Sequence, residues 1–229
     1  MIELKDVKKG YQSKGNGKTP ILDVSYLSIE KGEQLVITGP SGCGKSTLLH
    51  IIGGVIDADE GRVQVYGQDL TELKGGEKDQ FRSKYIGYIF QDLHLIPSLT
   101  AEENILLAIQ ESIDKKTLNQ LLGRWFDRVG LGNKRKSLPS QLSRGQQQRV
   151  ALIRALIHKP AIVLADEPTG SLDVETGKEM MDLMIEVCKE LETTFLCVTH
   201  DLELALKFPR KSQLQSLNES SVARSVMCK

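Results

Sequence analysis

A glycine-rich segment that follows a short apolar run carries the clearest chemical signal in the sequence. Residues 35–38 are typical of a strand buried on both faces, and the next eight residues fit the pattern G-x-x-x-x-G-K-[ST]. Glycines let backbone N–H groups turn toward an anion, and a helix that begins at the loop points the positive end of its dipole at the same place. The pattern therefore predicts a phosphate-binding loop. Its residues are Gly39, Pro40, Ser41, Gly42, Cys43, Gly44, Lys45 and Ser46.

Three side chains at the end of this loop have expected roles toward a nucleotide. Lys45 is expected to hold the β- and γ-phosphates, Ser46 to ligate Mg²⁺, and Thr47 to contact the α-phosphate. The segment thus predicts binding of a nucleoside triphosphate together with magnesium.

Two adjacent carboxylates follow a second apolar run at residues 162–165. In P-loop nucleotide hydrolases one such carboxylate lies in the Mg²⁺ shell and the other lies near the attacking water. We assign Asp166 to the metal and Glu167 to the role of general base. The alternative interpretation is a pair of exposed carboxylates at the end of a strand.

The order of the remaining motifs resembles the nucleotide-binding subunits of ATP-binding cassette (ABC) transporters over nearly the whole chain. Gln91 stands at the position of the family's Q-loop, and His200 stands at the position of its switch histidine. Residues 142–146 resemble the L-S-G-G-Q signature, and residues 171–173 resemble the D-loop. Tyr11 stands where the family stacks an aromatic ring on adenine; a tyrosine packed on the core is the alternative.

The resemblance implies a dimer in which two subunits close head to tail around two ATP molecules. Ser143, Gly145 and Gln146 of one subunit would then face the γ-phosphate bound by the phosphate loop of the other. Asp173 would couple the two sites. Arg144 departs from the family pattern, because a long cation replaces the first glycine of the signature, and the sequence leaves open whether it stabilises or hinders closure.

The resemblance also assigns catalytic roles around Glu167. Gln91 would contact Mg²⁺ and the attacking water, while His200 would bond the γ-phosphate and orient Glu167. The presence of both Glu167 and His200 favours an ATP hydrolase over the alternative of an ATP-gated regulatory or scaffold subunit with little hydrolysis.

A membrane permease is the partner that the resemblance implies, docked on the surface from Gln91 to Pro97. Residues 93–97 are apolar enough for such a surface, and a buried connection within the chain is the alternative. Several motifs are most similar to the lipoprotein-releasing and macrolide-efflux branch of the family. Relatives that act on DNA or ribosomes have long coiled-coil insertions or two cassettes, and this sequence shows neither.

The composition fits this interpretation. The 229 residues include 30 Lys and Arg against 30 Asp and Glu, so no basic excess favours nucleic acid as a partner. The apolar runs are shorter than the roughly 20 residues that cross a bilayer, and the first residues lack the pattern of a signal peptide. We expect a cytoplasmic chain that lies peripherally on the inner face of the cell membrane.

The resemblance implies an α/β fold of the P-loop ABC ATPase type, with a mixed sheet core, an antiparallel N-terminal β subdomain and an inserted helical subdomain. We expect a single domain over residues 1–229, with its core at 1–91 and 159–229 and the helical part at about 92–158. Strands are predicted at 2–7, 21–29 and 194–199, a mobile loop at 13–20, and helices at 102–111, 115–129 and 146–158. The stretch from residue 207 onward gives no assignment.

Overall fold

The computed structural model describes residues 1–12, 18–110 and 112–218. The strands in these residues are β1 (Ile2–Gln12), β2 (Lys18–Ile29), β3 (Gln34–Thr38), β4 (Glu60–Val65), β5 (Gln68–Asp69), β6 (Ile86–Ile89), β7 (Ile162–Asp166), β8 (Thr194–Thr199) and β9 (Arg210–Gln213). The helices are α1 (Lys45–Ile52), α2 (Gly75–Tyr85), α3 (Ala101–Leu106), α4 (Lys115–Arg128), α5 (Arg144–Leu156), α6 (Val174–Glu190), α7 (Leu202–Ala205) and α8 (Leu214–Leu217). No helix in the described ranges is both long and apolar enough to cross a membrane.

The first sheet is antiparallel, with the strand order β2-β1-β4-β5. Buried Ile2, Leu4 and Val7 share β1 with exposed polar residues, as expected for a sheet that covers a core with one face. The strand predicted at 2–7 is confirmed and continues to Gln12. The loop predicted at 13–20 is wrong at residues 18–20, which pair with residues 10–12 as part of β2, whereas residues 13–17 lie outside the described residues.

The second sheet is parallel, with the strand order β6-β7-β8-β3-β9. Every residue of β3, β7 and β8 is buried, which explains their continuous apolar sequences. Because the strands run in one direction, the segments that follow β3, β6, β7 and β8 emerge at the same edge of the sheet. The predicted phosphate loop and the two carboxylates singled out in the sequence, Asp166 and Glu167, lie at this edge.

Helix α1 anchors the phosphate loop to the sheet. Its side chains Leu48, Leu49 and Ile52 are fully buried among residues of both sheets. Burial of each such side chain stabilises the fold by roughly 1.5–3 kcal/mol. The start of α1 is therefore fixed relative to the strand ends.

The described residues between β6 and β7 contain α3, α4, α5 and two short 3-10 helices, Gly132–Lys134 and Pro139–Gln141. The three predicted helices are present, although α3 already ends at Leu106 and α5 begins two residues earlier than expected, at Arg144. Asp114 caps α4 by accepting hydrogen bonds from the N–H groups of Lys116 and Thr117. The division into a core and a helical subdomain stays a prediction.

Strand β9 was not predicted from the sequence. It is parallel to β3, and its backbone pairing places Arg210 beside Leu35. Its Arg-Lys-Ser-Gln sequence lacks the apolar pattern of a core strand, because β9 lies at the edge of the sheet. The Arg210 guanidinium bonds Ser28 O at 2.8 Å and Glu33 Oε1 at 2.9 Å, which fixes this edge by polar contacts.

Candidate active site

The phosphate loop bends sharply between β3 and α1. Gly42 and Gly44 adopt φ angles of 77° and 104°, which residues with a side chain rarely adopt. A Cβ atom on Gly44 would also lie 2.8 Å from Ile21 Cγ2. Glycine is therefore required at position 44, and its lack of a side chain leaves the first N–H groups of α1 available to an anion.

A cavity of about 290 Å³ opens at the start of α1. All of its lining residues except Ile21 were predicted from the sequence to take part in nucleotide binding or hydrolysis. The lining residues are Tyr11, Ile21, Ser41, Gly42, Gly44, Lys45, Ser46, Thr47, Gln91 and Glu167. Gly39, Pro40 and Cys43 belong to the same loop but do not line this cavity.

Three oxygen atoms surround the buried ammonium of Lys45. Its Nζ donates to Gly39 O at 2.8 Å and to Pro40 O at 3.1 Å, and it lies 3.3 Å from Glu167 Oε1. The Lys45 side chain is only 6% exposed. A phosphate that reached this cation would therefore replace contacts within the chain rather than contacts with bulk water.

Ser46 and Asp166 present hard oxygen atoms side by side. Ser46 Oγ donates to Asp166 Oδ1 at 3.0 Å, and burial raises the pKa of Asp166 above its ordinary value. Mg²⁺ prefers oxygen ligands of this kind, and a nearby cation stabilises a carboxylate that burial destabilises. Gln91 lines the same cavity as Ser46. The residues present therefore fit the predicted magnesium site.

Glu167 is held by several contacts in a conformation that is uncommon for a non-glycine residue. Its φ angle is 44°, and its N–H donates to Val198 O at 3.0 Å. Glu167 Oε2 accepts hydrogen bonds from Thr199 Oγ1 at 3.0 Å and from His200 N at 3.2 Å, and it lies 3.0 Å from His200 Nδ1. The structure thus brings together the predicted base and the predicted switch histidine.

Thr199 is a site residue that the sequence analysis missed. Its hydroxyl donates to Glu167 and accepts a hydrogen bond from Asp201 N at 3.0 Å, and the residue is 2% exposed. The available signal was a hydroxyl at the last position of an otherwise apolar strand, directly before His200.

Gln91 lies in the segment after β6, close to the turn that follows Glu167. A Cβ atom on Gly170 would lie 4.0 Å from Gln91 Nε2 and 3.8 Å from Glu167 Cβ, and Gly170 N donates to Glu167 O at 3.1 Å. Gly170 therefore lies beside both the Q-loop glutamine and the candidate base, which line the same cavity.

The signature residues form the capped start of α5, which does not line the cavity of the same chain. Ser143 Oγ accepts a hydrogen bond from Gln146 N at 3.3 Å, and Gln146 Oε1 accepts one from Ser143 N at 3.0 Å. Gly145 lies between them, where a Cβ atom would come within 3.0 Å of Thr176 Cγ2. Asp173 caps α6 in a similar way, accepting from Thr176 N at 3.0 Å.

Tyr11 lies near the end of β1 and is 47% exposed, so its ring is not packed within the core. It lines the same cavity as the phosphate loop, and Lys9 Nζ lies 5.9 Å from its ring centroid. The ring is thus available at one side of the cavity.

The parallel sheet, the phosphate loop after β3 and the Asp-Glu pair at the end of β7 define a P-loop nucleotide hydrolase. The family described as ABC transporter matches residues 22–170, and the chain belongs to this family. The resemblance seen in the sequence is thereby confirmed, and the chain is an ATP-binding and ATP-hydrolysing subunit of an ABC transporter.

Named relatives and solved structures agree with this assignment. The chain is 40% identical to the lipoprotein-releasing system ATP-binding protein LolD of Shewanella oneidensis, over 94% of each chain. It is also 40% identical to LolD of Alcanivorax borkumensis, over 93% of this chain and 94% of the relative. A dimeric structure of the ATP-binding cassette MJ0796 in a post-hydrolysis state with ADP and Pi superposes with a TM-score of 0.84, at 36% identity over 93% of this chain and 94% of that one. The predicted fold class is confirmed.

Proposed function

We propose that this chain binds MgATP in the 290 Å³ cavity and that two copies close around two ATP molecules to drive a permease of the lipoprotein-releasing or macrolide-efflux type. The observation that carries the proposal is the convergence of Lys45, the Ser46–Asp166 pair and the Glu167–His200 pair at one edge of the sheet. The names of the LolD relatives support the branch.

Hydrolysis begins with a water molecule that Glu167 activates. The carboxylate takes a proton from this water while the water oxygen forms a bond to the γ-phosphorus. The bond between the γ-phosphorus and the bridging oxygen then breaks, which gives ADP and phosphate. Thr199 and His200 hold Glu167 Oε2 in a fixed direction during this step. Held by Ser46 and Asp166, Mg²⁺ would neutralise charge on the phosphate oxygens.

The signature residues complete the site of the second copy. Ser143 and Arg144 are exposed in this chain, and the N–H groups of Ser143 and Gln146 donate within the capping box, which leaves those of Arg144 and Gly145 at the start of α5 for an anion on a partner. Val174, next to Asp173, is 73% exposed although it is apolar. This exposed apolar side chain supports an interface between two copies at the D-loop, through which Asp173 would couple the sites.

The permease docks, in this proposal, at a groove of about 360 Å³ that adjoins the Q-loop. Tyr88, Phe90, His94 and Leu107 are among its lining residues, and Leu107 is 57% exposed. Residues 93–97 lie next to this groove. They were expected to form either an apolar docking surface or a buried connection within the chain. Leu93 is buried as part of the chain's own core, whereas Ile96 is 41% exposed. A cytoplasmic chain bound in this way is peripheral to the inner face of the membrane.

Co-expression with a permease of the lipoprotein-releasing type tests the docking site. We expect the wild-type chain to sediment with membranes and Leu107→Glu to remain in the supernatant. Val55→Glu is the matched control, because Val55 is a 48% exposed apolar residue that does not line the groove. Equal membrane binding by Leu107→Glu and the control would contradict docking at this groove.

A further inference from the structure

A second charged cluster lies at the end of the β1–β2 hairpin, centred on Asp59. Asp59 Oδ1 accepts from Lys9 Nζ at 3.0 Å, and Oδ2 accepts from Gly10 N at 2.8 Å and pairs with Lys18 Nζ at 2.6 Å. The carboxylate of Asp59, which precedes β4, therefore contacts both strands of the hairpin.

Asp59 is fixed by its backbone as well as by its side chain. Its N–H donates to Lys8 O at 2.8 Å, and its side chain is 24% exposed. The hydrogen bond with Lys18, followed by the bond from Gly10 N, holds the pKa of Asp59 well below its usual range. The carboxylate of Asp59 is consequently charged at every pH at which the protein is expected to work.

Asp59 contacts β1 at the point where the pairing of β1 with β2 changes register. The pairing of β1 with β2 shifts between Lys9 and Gly10, and a Cβ atom on Gly10 would lie 2.8 Å from Thr19 O. Lys9 pairs with Leu22 and Gly10 with Pro20, so the extra residue of this shift is Ile21 of β2, and such an irregularity increases the local twist of the strand pair. The residue that follows Gly10 is Tyr11, whose ring lines the nucleotide cavity.

We propose that Asp59 is a positioning residue for the adenine base: it fixes the β1 backbone at Gly10, beside the register shift, and thereby the direction of Tyr11. This inference rests on the proposed stacking of Tyr11 on adenine. Asp59 does not line the cavity, so it acts on the base through Tyr11 and has no direct effect on the phosphates.

The test compares ATP, which has an adenine base, with inorganic tripolyphosphate, which lacks one. In Asp59→Asn, we expect the KM for ATP to rise about fivefold, which corresponds to loss of about 1 kcal/mol, the scale of one aromatic contact. The kcat and the inhibition constant of inorganic tripolyphosphate should stay unchanged. Asp57→Asn is the matched control, because Asp57 is 75% exposed and pairs only with Lys78 among the described contacts. An equal loss of tripolyphosphate binding in Asp59→Asn would overturn the proposal, since it would indicate general damage to the site.

Tyr11→Ala separates this inference from the proposed function. We expect Tyr11→Ala to raise the KM for ATP, and Asp59→Asn to add nothing further in the double variant, because both changes remove the same contact. A normal KM in Tyr11→Ala would refute the stacking and the inference together. A raised KM in Tyr11→Ala beside a normal KM in Asp59→Asn would refute the role of Asp59 alone.

Discussion

Lys45 Nζ lies 3.3 Å from Glu167 Oε1, so the cation of the phosphate loop and the candidate general base form a largely buried ion pair. In the proposed function, a phosphate bound at Lys45 would compete with Glu167 for this ammonium. ATP binding would then weaken one contact of Glu167 at the step in which the carboxylate must accept a proton. The pair would thereby connect substrate binding to activation of the base.

Replacement of Lys45 should affect both binding and stability. We expect Lys45→Ala to weaken ATP binding by at least about tenfold and to lower the melting temperature, because it leaves the buried Glu167 carboxylate without its cation. The double variant Lys45→Ala, Glu167→Gln should recover part of the melting temperature that Lys45→Ala loses. Lys5→Ala is the control, since Lys5 pairs with Glu3 at the surface. If the changes in melting temperature caused by the two single substitutions simply add in the double variant, the coupling of Lys45 with Glu167 is contradicted.

Asp166 should lower the stability of the metal-free protein at neutral pH. Burial raises its folded-state pKa above the ordinary value of 3.8, so its contribution to stability falls as the pH rises from 3.8 through the folded pKa. We expect Asp166→Asn to raise the melting temperature by about 2–4 °C in a chelator at neutral pH, and the gain to disappear below pH 3.8. The same variant should bind Mg²⁺ at least about tenfold more weakly. A lower melting temperature at neutral pH would show that Asp166 stabilises the fold instead.

Cys43 should be the cysteine that reacts with alkylating reagents among Cys43, Cys188 and Cys197. Cys188 and Cys197 are buried, and burial raises the pKa of Cys188 to about 12, whereas Cys43 is partly exposed in the phosphate loop. We expect alkylation of Cys43 to block ATP binding and MgATP to slow the labelling. Peptide mapping by mass spectrometry measures both effects, with Cys43→Ser as the control. Equal labelling with and without nucleotide would refute the predicted position of Cys43.

Arg144 should restrain the signature segment within its own chain. Arg144 Nε donates to Ser171 Oγ at 2.9 Å, and Arg144 Nη2 lies 4.0 Å from Asp92 Oδ1. We expect Arg144→Gly and Ser171→Ala to lower, to a similar extent, the ATP concentration needed for dimerisation, and the double variant to show no further change. Size-exclusion chromatography at graded MgATP measures the effect. Unchanged dimerisation and ATPase rate in Arg144→Gly would exclude a special role for this residue.

The phosphate loop and the two carboxylates were predictable because local chemistry determines them, whereas Tyr11 and Gln91 were assigned from the family resemblance and Ile21 was missed. The turns at Gly42 and Gly44 and the adjacent Asp166 and Glu167 each have a recognisable pattern over a few residues. The contacts of Thr199 and Asp59 were not predictable in this way, because they join residues 32 and 49 positions apart. Strand β9 was missed for a related reason: an edge strand is fixed by its partner β3 and by Arg210, so its own sequence carries no apolar period.

The most direct test of the account is the oligomeric state and ATPase rate of Glu167→Gln in MgATP. The amide keeps the shape of the side chain but cannot accept a proton from water, so we expect hydrolysis to fall at least about a hundredfold while ATP binding persists. The variant should then accumulate as a dimer with two bound ATP molecules, whereas the wild type turns over slowly. A monomeric Glu167→Gln variant that hydrolyses ATP at the wild-type rate would contradict both the general base and the proposed dimer.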